Sequence, residues 1–247
     1  SGLNQWLFEE GRKRRVVEAR PGSLLPEGPV LDGLVGSTDP YVIGISGSTE
    51  GAKALLADAG VPEDADADRL DVASRMKLSS LLALKLTAQG TPMTTLDEVV
   101  HERYYSPKWG MSAETMAGLL NACGRSNNEG VGLALTLGDP SAMEEARALR
   151  RIYTDEVQAS LRKIVASGIT QMENIQYFFN DNLGLSGILS GVTMQYFGDR
   201  GKPTLALAES GDDIKVSSRG TFDILESGVD LAAALRECGQ KVGGVGG

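Results

Sequence analysis

The chain has 247 residues, 41% of them apolar, and a formal net charge of −9. That length suits one large domain or two ordinary ones. No run of about 18 apolar residues is present to cross a membrane, and no charged-then-apolar leader opens the sequence. The acidic balance excludes a bulk electrostatic affinity for nucleic acid but leaves room for a local basic site, because salt confines surface fields to about 8 Å.

The first 40 residues read as a lead-in of turns and short extended pieces, since "ARPGSLLPEGPVLDGLVGSTDP" is broken by four prolines and four glycines. The basic run Arg12, Lys13, Arg14, Arg15 reads as a solvated helix end. A short apolar run, "YVIGI", follows. Ser48 or Thr49 then caps a helix reaching Ala59, and Gly60 stops it. "GISGSTEGAK" is not a phosphate loop. Such a loop needs glycine directly before lysine and a hydroxyl after it, whereas Ala52 precedes Lys53 and Ala54 follows. A turn and a cap account for the stretch. "PEDADAD", residues 62 to 68, reads as a solvated loop, with a contact for a basic partner as the alternative.

Residues 65 to 166 read as mostly helical. Leu78, Leu81, Leu82 and Leu84 form a dense apolar cluster that Gly90 and Pro92 bring to a stop. Ser112 caps a shorter helix ended by Gly124. The clearest helix starts at Asp139, a natural N-cap, with Pro140 at the first helical position. Leu149, Tyr153, Val157, Leu161 and Val165 recur every fourth residue and give it an apolar face. It ends at Gly168 after about 28 residues, or roughly 42 Å. Past it the texture changes. "ENIQYFF" reads as a strand. "LSGILSGVTMQYF" is a helix whose Gly187 and Gly191 share a face that presses on a sheet. "PTLALAE" and "DIKVSSR" are strands joined by an "SGDD" turn, and "TFDILESGVDLAAALRECG" returns to helix. The expected fold class is therefore α/β. A lead-in (1–64) precedes a helical middle region (65–168) and a mixed-sheet α/β unit with its own core (169–247).

Chemistry has few places to sit. His101 is the one histidine, so no imidazole-based metal site can be assembled, and a Ser-His-Asp triad would have to use this residue alone. It reads as an ordinary polar residue on a helix face. Cys123 and Cys238, far apart, read as reduced thiols of a cytoplasmic protein. "KVSSRG" is more suggestive. Ser217 and Arg219 project to one strand face, and an arginine fork with a hydroxyl makes a compact oxyanion grip. The terminal "KVGGVGG" can offer successive backbone N–H groups as an anion nest. "LLNACGRSNNEG" reads as a capping region with Arg125 exposed beyond it.

Several of these stretches together resemble RecJ-like exonucleases of the DHH phosphoesterase superfamily. "LLNACGR" is similar to that family's Asn-Ala-x-Gly-Arg stretch. "LSGILSGVTMQYFGDRGKPTLALAE" followed by "IKVSSRGTFDI" looks like its C-terminal accessory domain. "VGGVGG" looks like the start of that domain's glycine loop, and "STDPYVIGISGSTEGAKALLADAG" resembles the archaeal branch. The likeness covers about residues 35 to 247. It implies a lead-in continuing from a catalytic domain, with phosphate ligands at Ser217, Ser218 and Arg219. Backbone donors would be Gly243, Gly244 and Gly246, with Asn121 and Arg125 supporting the cleft. It also implies single-stranded nucleic acid or a short oligonucleotide as ligand. Manganese or magnesium would sit in a catalytic domain that this sequence does not contain, since no Asp-His-His motif occurs and His101 does not match one. On that reading this chain carries no catalytic or metal-binding residue of its own, needs no cofactor and touches no membrane. Two alternatives follow from the same resemblance: a non-catalytic replisome scaffold that binds a GINS-type complex, and the accessory domain of a nucleotide-messenger phosphodiesterase or oligoribonuclease.

Overall fold

A computed structural model describes residues 2–246. The chain divides into two compact units. Residues up to 87 together with 92–156 make the first, and 88–91 with those from 157 onward make the second.

The first unit is largely helical. It contains α1 (Leu3–Lys13), β1 (Glu18–Arg20), α2 (Val30–Gly36), α3 (Thr49–Ala59), α4 (Val72–Ala88, whose last residue falls in the second unit), α5 (Met93–Val99), β2 (Arg103–Ser106), β3 (Met111–Ser112), α6 (Ala113–Arg125), α7 (Glu129–Leu137) and the first part of α8 (Pro140–Ser167). The three strands form an antiparallel sheet in chain order, with Glu18 opposite Tyr105 and Tyr105 opposite Ser112. The expected lead-in is thus more ordered than its prolines suggested. Pro26 and Pro29 stand before α2 rather than within it. Val30 and Leu34 are buried, and Pro26 lies so close to Gly33 that a Cβ there would stand 2.2 Å from its own Cβ.

Helix ends follow side-chain chemistry. The Ser48 hydroxyl accepts from the Gly51 N–H at 3.0 Å, and Gly60 closes α3 in the left-handed conformation. The Ser112 hydroxyl accepts from the Thr115 N–H at 3.1 Å to start α6. At α8, the Asp139 carboxylate accepts from the Ser141 N–H at 2.9 Å and from its hydroxyl at 2.7 Å. Those bonds hold the Asp139 carboxyl below the usual 3.8. A carboxyl lowered on folding contributes stability above its unfolded pKa and loses it as pH falls through the folded one. We therefore expect the Ser141 and Ala142 amides to lose protection, measured against their intrinsic exchange rates, as pH falls below about 4. In Asp139→Asn that pH dependence should vanish while the cap persists.

Apolar faces fill the interior. Leu78, Leu82 and Leu86 share the buried face of α4, whereas Leu84, expected in the same cluster, is 66% exposed. The four-residue spacing puts 78, 82 and 86 on one stripe and carries 84 to the far side. Met111, Leu119, Cys123, Leu135, Ala142 and Ala146 form a second cluster among β3, α6, α7 and α8. Along α8, Val157, Leu161 and Ile164 are buried, and Val165 only partly. A strict four-residue repeat drifts by about 40° per step on a helix of 3.6 residues per turn, so a three-residue step restores the face.

The second unit begins within α8 and contains β4 (Thr170–Gln171), β5 (Gln176–Phe179), α9 (Ser186–Tyr196), β6 (Thr204–Ser210), β7 (Asp213–Arg219), α10 (Phe222–Glu226) and α11 (Leu231–Lys241). Its four strands form a mixed sheet in chain order. β5 and β6 are parallel and joined through α9, and the other pairs are antiparallel. Gly211 at φ +63° makes the tight β6–β7 turn, with Ser210 paired to Asp213. The last helical stretch, expected as one helix, is two. Gly228 at φ +96° breaks it, and Asp230 recaps α11 through the Ala233 N–H. The architecture is α/β, a helical region followed by a mixed-sheet unit.

One buried polar residue ties this sheet together. The Gln176 amide donates to the Thr204 hydroxyl at 2.8 Å and the Asp199 carbonyl at 2.7 Å, and its oxygen accepts from the Asp199 N–H at 2.8 Å. Gln176→Leu strands those groups in a dry site. We expect it to cost about 2–3 kcal/mol, read as a lower urea midpoint with unchanged slope.

Candidate phosphate-binding site

Antiparallel pairing decides which way β7 presents its side chains. Lys215, Ser217 and Arg219 lie opposite Ala208, Ala206 and Thr204. Those three β6 residues are buried, and directly paired residues share a face. Ser218 pairs with Leu205 on the other face. Within the run expected to grip phosphate, therefore, Ser217 and Arg219 stand together and Ser218 faces away.

α9 packs against β6 and β7. The Arg219 Nη2 lies 3.2 Å from where a Cβ on Gly187 would stand, and its Nη1 donates to the Ser218 carbonyl at 2.9 Å. Gly187 is the second residue of α9, so the guanidinium rests against that helix's first turn. Lys215, four residues before Arg219 on the same strand face, donates from Nζ to the Leu183 carbonyl just ahead of α9 at 3.1 Å. The Asn180 side chain fixes this approach. Its amide donates to the Leu207 carbonyl at 3.1 Å, and its oxygen accepts from the Asn182 N–H at 3.1 Å. Two cations and the Ser217 hydroxyl thus line one face of β7 beside the first turn of α9, which has no side-chain cap, a donor set suited to an oxyanion. Lys215 was not among the residues singled out from the sequence, although its two-residue spacing from Ser217 was the available signal. Gly187 was expected to press against a sheet together with Gly191. It instead makes room for Arg219, and Gly191 faces open space.

The glycine-rich segment takes a different course. Gly243 has φ +75° and its N–H bonds the Gln240 carbonyl at 3.3 Å, while the Gly244 N–H bonds the Gly239 carbonyl at 2.8 Å. Both amides therefore close the end of α11. A Cβ on Gly246 would stand 2.5 Å from the Leu235 carbonyl oxygen, so this segment folds back along α11, where only glycine fits. Asn121 and Arg125 belong to the first unit. They sit exposed, one turn apart, on α6. Burial pushes the Tyr153 hydroxyl of α8 up, and the Arg125 charge opposes that.

His101 lies exposed just past α5, contacting the Glu98 carbonyl, rather than on a helix face. Among the described residues no group of three or more His, Cys, Asp and Glu side chains could hold a metal ion. The donors present therefore do not fit a two-metal centre. Cys123 is buried, which pushes its thiol up, and Cys238 is exposed; neither is in a disulfide. Among the described residues no helix is long and apolar enough to cross a membrane.

No protein-family model matches the sequence. The chain is similar to the uncharacterized protein MJ0831 of Methanocaldococcus jannaschii, 23% identical over 248 residues that cover 100% of this chain and 53% of the relative. Among solved structures it is similar to CDC45 from Entamoeba histolytica, with a TM-score of 0.55 and 12% identity over 92% of this chain and 52% of that one. The chain thus spans about half the length of each. Over nearly all of its own length, it shares the fold of that half of CDC45.

Proposed function

We propose that the chain is the substrate-positioning region of a RecJ-like phosphoesterase of the DHH superfamily, holding the phosphates of single-stranded nucleic acid. The metal ions that activate water would belong to a separate catalytic domain. The observation that carries this reading is the Arg219 guanidinium seated on Gly187, on the strand face it shares with Ser217 and Lys215. Its superfamily frame is supported by the likeness of fold to CDC45, a RecJ-like member of that superfamily. Arg219 and Ser217 grip one phosphate and Lys215 raises the local potential. Ser218 lies on the opposite face and acts through its backbone. Gly243, Gly244 and Gly246 hold the glycine-rich segment against α11, and Asn121 and Arg125, within the first unit, support the ligand there. The work done is orientation rather than bond cleavage.

A second reading, a non-catalytic replisome scaffold that docks a GINS-type partner, has the CDC45 likeness in its favour. One experiment separates activity from positioning. The pure chain is incubated with manganese and a 5′-phosphorylated single strand, and products are resolved on a gel. The expected outcome is an intact strand that nevertheless shifts with protein. Manganese-dependent turnover abolished by Arg219→Ala would overturn the proposal. No shift at all, with capture of a GINS-type complex, would favour the scaffold.

A further inference from the structure

The first unit holds a feature that the phosphate grip does not use. A cavity of about 450 Å³ opens between α1, β2, β3 and α6, lined by Phe8, Tyr104, Tyr105, Trp109, Met111 and Met116 among others. Protein interiors are close-packed, so an unfilled aromatic-walled space of this size falls in the range of ligand pockets. Phe8 and Tyr104 contact each other with ring centroids 4.5 Å apart. The lining includes no carboxylate.

Cations ring this wall. The Arg20 guanidinium stands 3.3 Å from the Tyr105 ring centroid, the Lys108 ammonium 4.9 Å from Trp109, and the Arg12 guanidinium 5.7 Å from Phe8. Arg20 is also paired with Glu18 at 3.2 Å, and Glu10 engages Lys13 and Arg14. Among the described residues, Arg12 and Lys108 make no ion pair. In a chain of net charge −9, this concentration of positive charge around an exposed Tyr104 and the half-buried rings of Phe8, Tyr105 and Trp109 is selective. A purely apolar peptide would use the rings and leave the cations unmatched. A single strand uses both, because bases stack on aromatic rings while phosphates meet the cations.

We infer that this cavity is a base-stacking site for single-stranded nucleic acid, with Tyr104 and Trp109 as stacking surfaces and Arg12 and Lys108 as phosphate contacts. It deepens the proposed function and rests on the same ligand class. The test uses the full chain carrying Trp6→Phe, which leaves Trp109 as the sole tryptophan. Short oligothymidine lacking a 5′-phosphate is titrated at two salt concentrations. We expect quenching of Trp109, about tenfold weaker binding in Tyr104→Ala, and a salt slope reduced by about one in Lys108→Ala. Tyr104→Phe keeps the ring and should bind normally, which separates stacking from a folding defect. Binding unaffected by Tyr104→Ala but lost in Arg219→Ala overturns this site and leaves the phosphate grip standing. Quenching that persists in Arg219→Ala supports this site as independent of the phosphate grip, which the 5′-phosphorylated strand tests separately. Quenching by an acidic peptide and not by the oligonucleotide overturns it in favour of a protein partner.

Discussion

Arg219→Ala should weaken binding of a 5′-phosphorylated single strand about 10- to 100-fold, the equivalent of losing a charge-assisted hydrogen-bonded pair. The guanidinium is held by the Ser218 carbonyl of its own strand, with Gly187 of α9 giving it space. Its fork is therefore partly ordered before a ligand arrives, which lowers the entropic cost of binding. Arg219→Lys keeps the charge and loses the planar fork, so it should fall between wild type and alanine. Gly187→Ala puts a methyl 3.2 Å from Nη2. The far end of an arginine can yield by that much, so a smaller loss is expected. Fluorescence anisotropy across these variants, with a 5′-hydroxyl strand alongside, measures the order. Equal affinity for all of them would remove Arg219 from the site.

Gly51→Ala should destabilise the first unit by about 3 kcal/mol, the upper part of the usual overpacking range. In an exposed helix the same change stabilises by about 1 kcal/mol, so the sign itself is informative. Gly51 lies in the first turn of α3, and an added Cβ would stand 1.7 Å from the Gly44 carbonyl oxygen and 2.9 Å from its carbon. Both are backbone atoms, and Gly44 itself sits at φ +79°. The neighbour cannot swing aside as a flexible side chain would. This glycine serves close packing rather than phosphate recognition, in keeping with the failed lysine spacing of "GISGSTEGAK". Urea unfolding should show a lower midpoint while strand binding by the folded protein stays unchanged. A variant as stable as wild type would mean that α3 can shift as a body.

Local chemistry was legible from the residues, and long-range pairing was not. Ser48, Gly60, Ser112 and Asp139 mark helix ends because each acts within a few residues of itself. The "SGDD" turn between β6 and β7 follows from glycine's access to positive φ. The sheet β1–β2–β3 carried no such mark. Its strands are short, and β1 pairs with residues more than 80 positions away. Tyr104 meets Phe8, and Tyr105 meets Arg20, only through that pairing. At the site, the shared face of Ser217 and Arg219 was readable from strand alternation. That Gly187 rather than Gly191 faces the strand was not, because both satisfy the same four-residue spacing. The choice rests on how α9 is rotated by its buried residues Ser186, Leu189, Ser190 and Thr193.

The most direct test of phosphate holding is the affinity of this chain for a 5′-phosphorylated single-stranded oligonucleotide, followed by anisotropy at rising salt. Saturable binding that fades with salt, exceeds that of the 5′-hydroxyl strand and drops in Arg219→Ala is the predicted result. Absence of binding at low salt, or binding indifferent to both the terminal phosphate and Arg219, would contradict it.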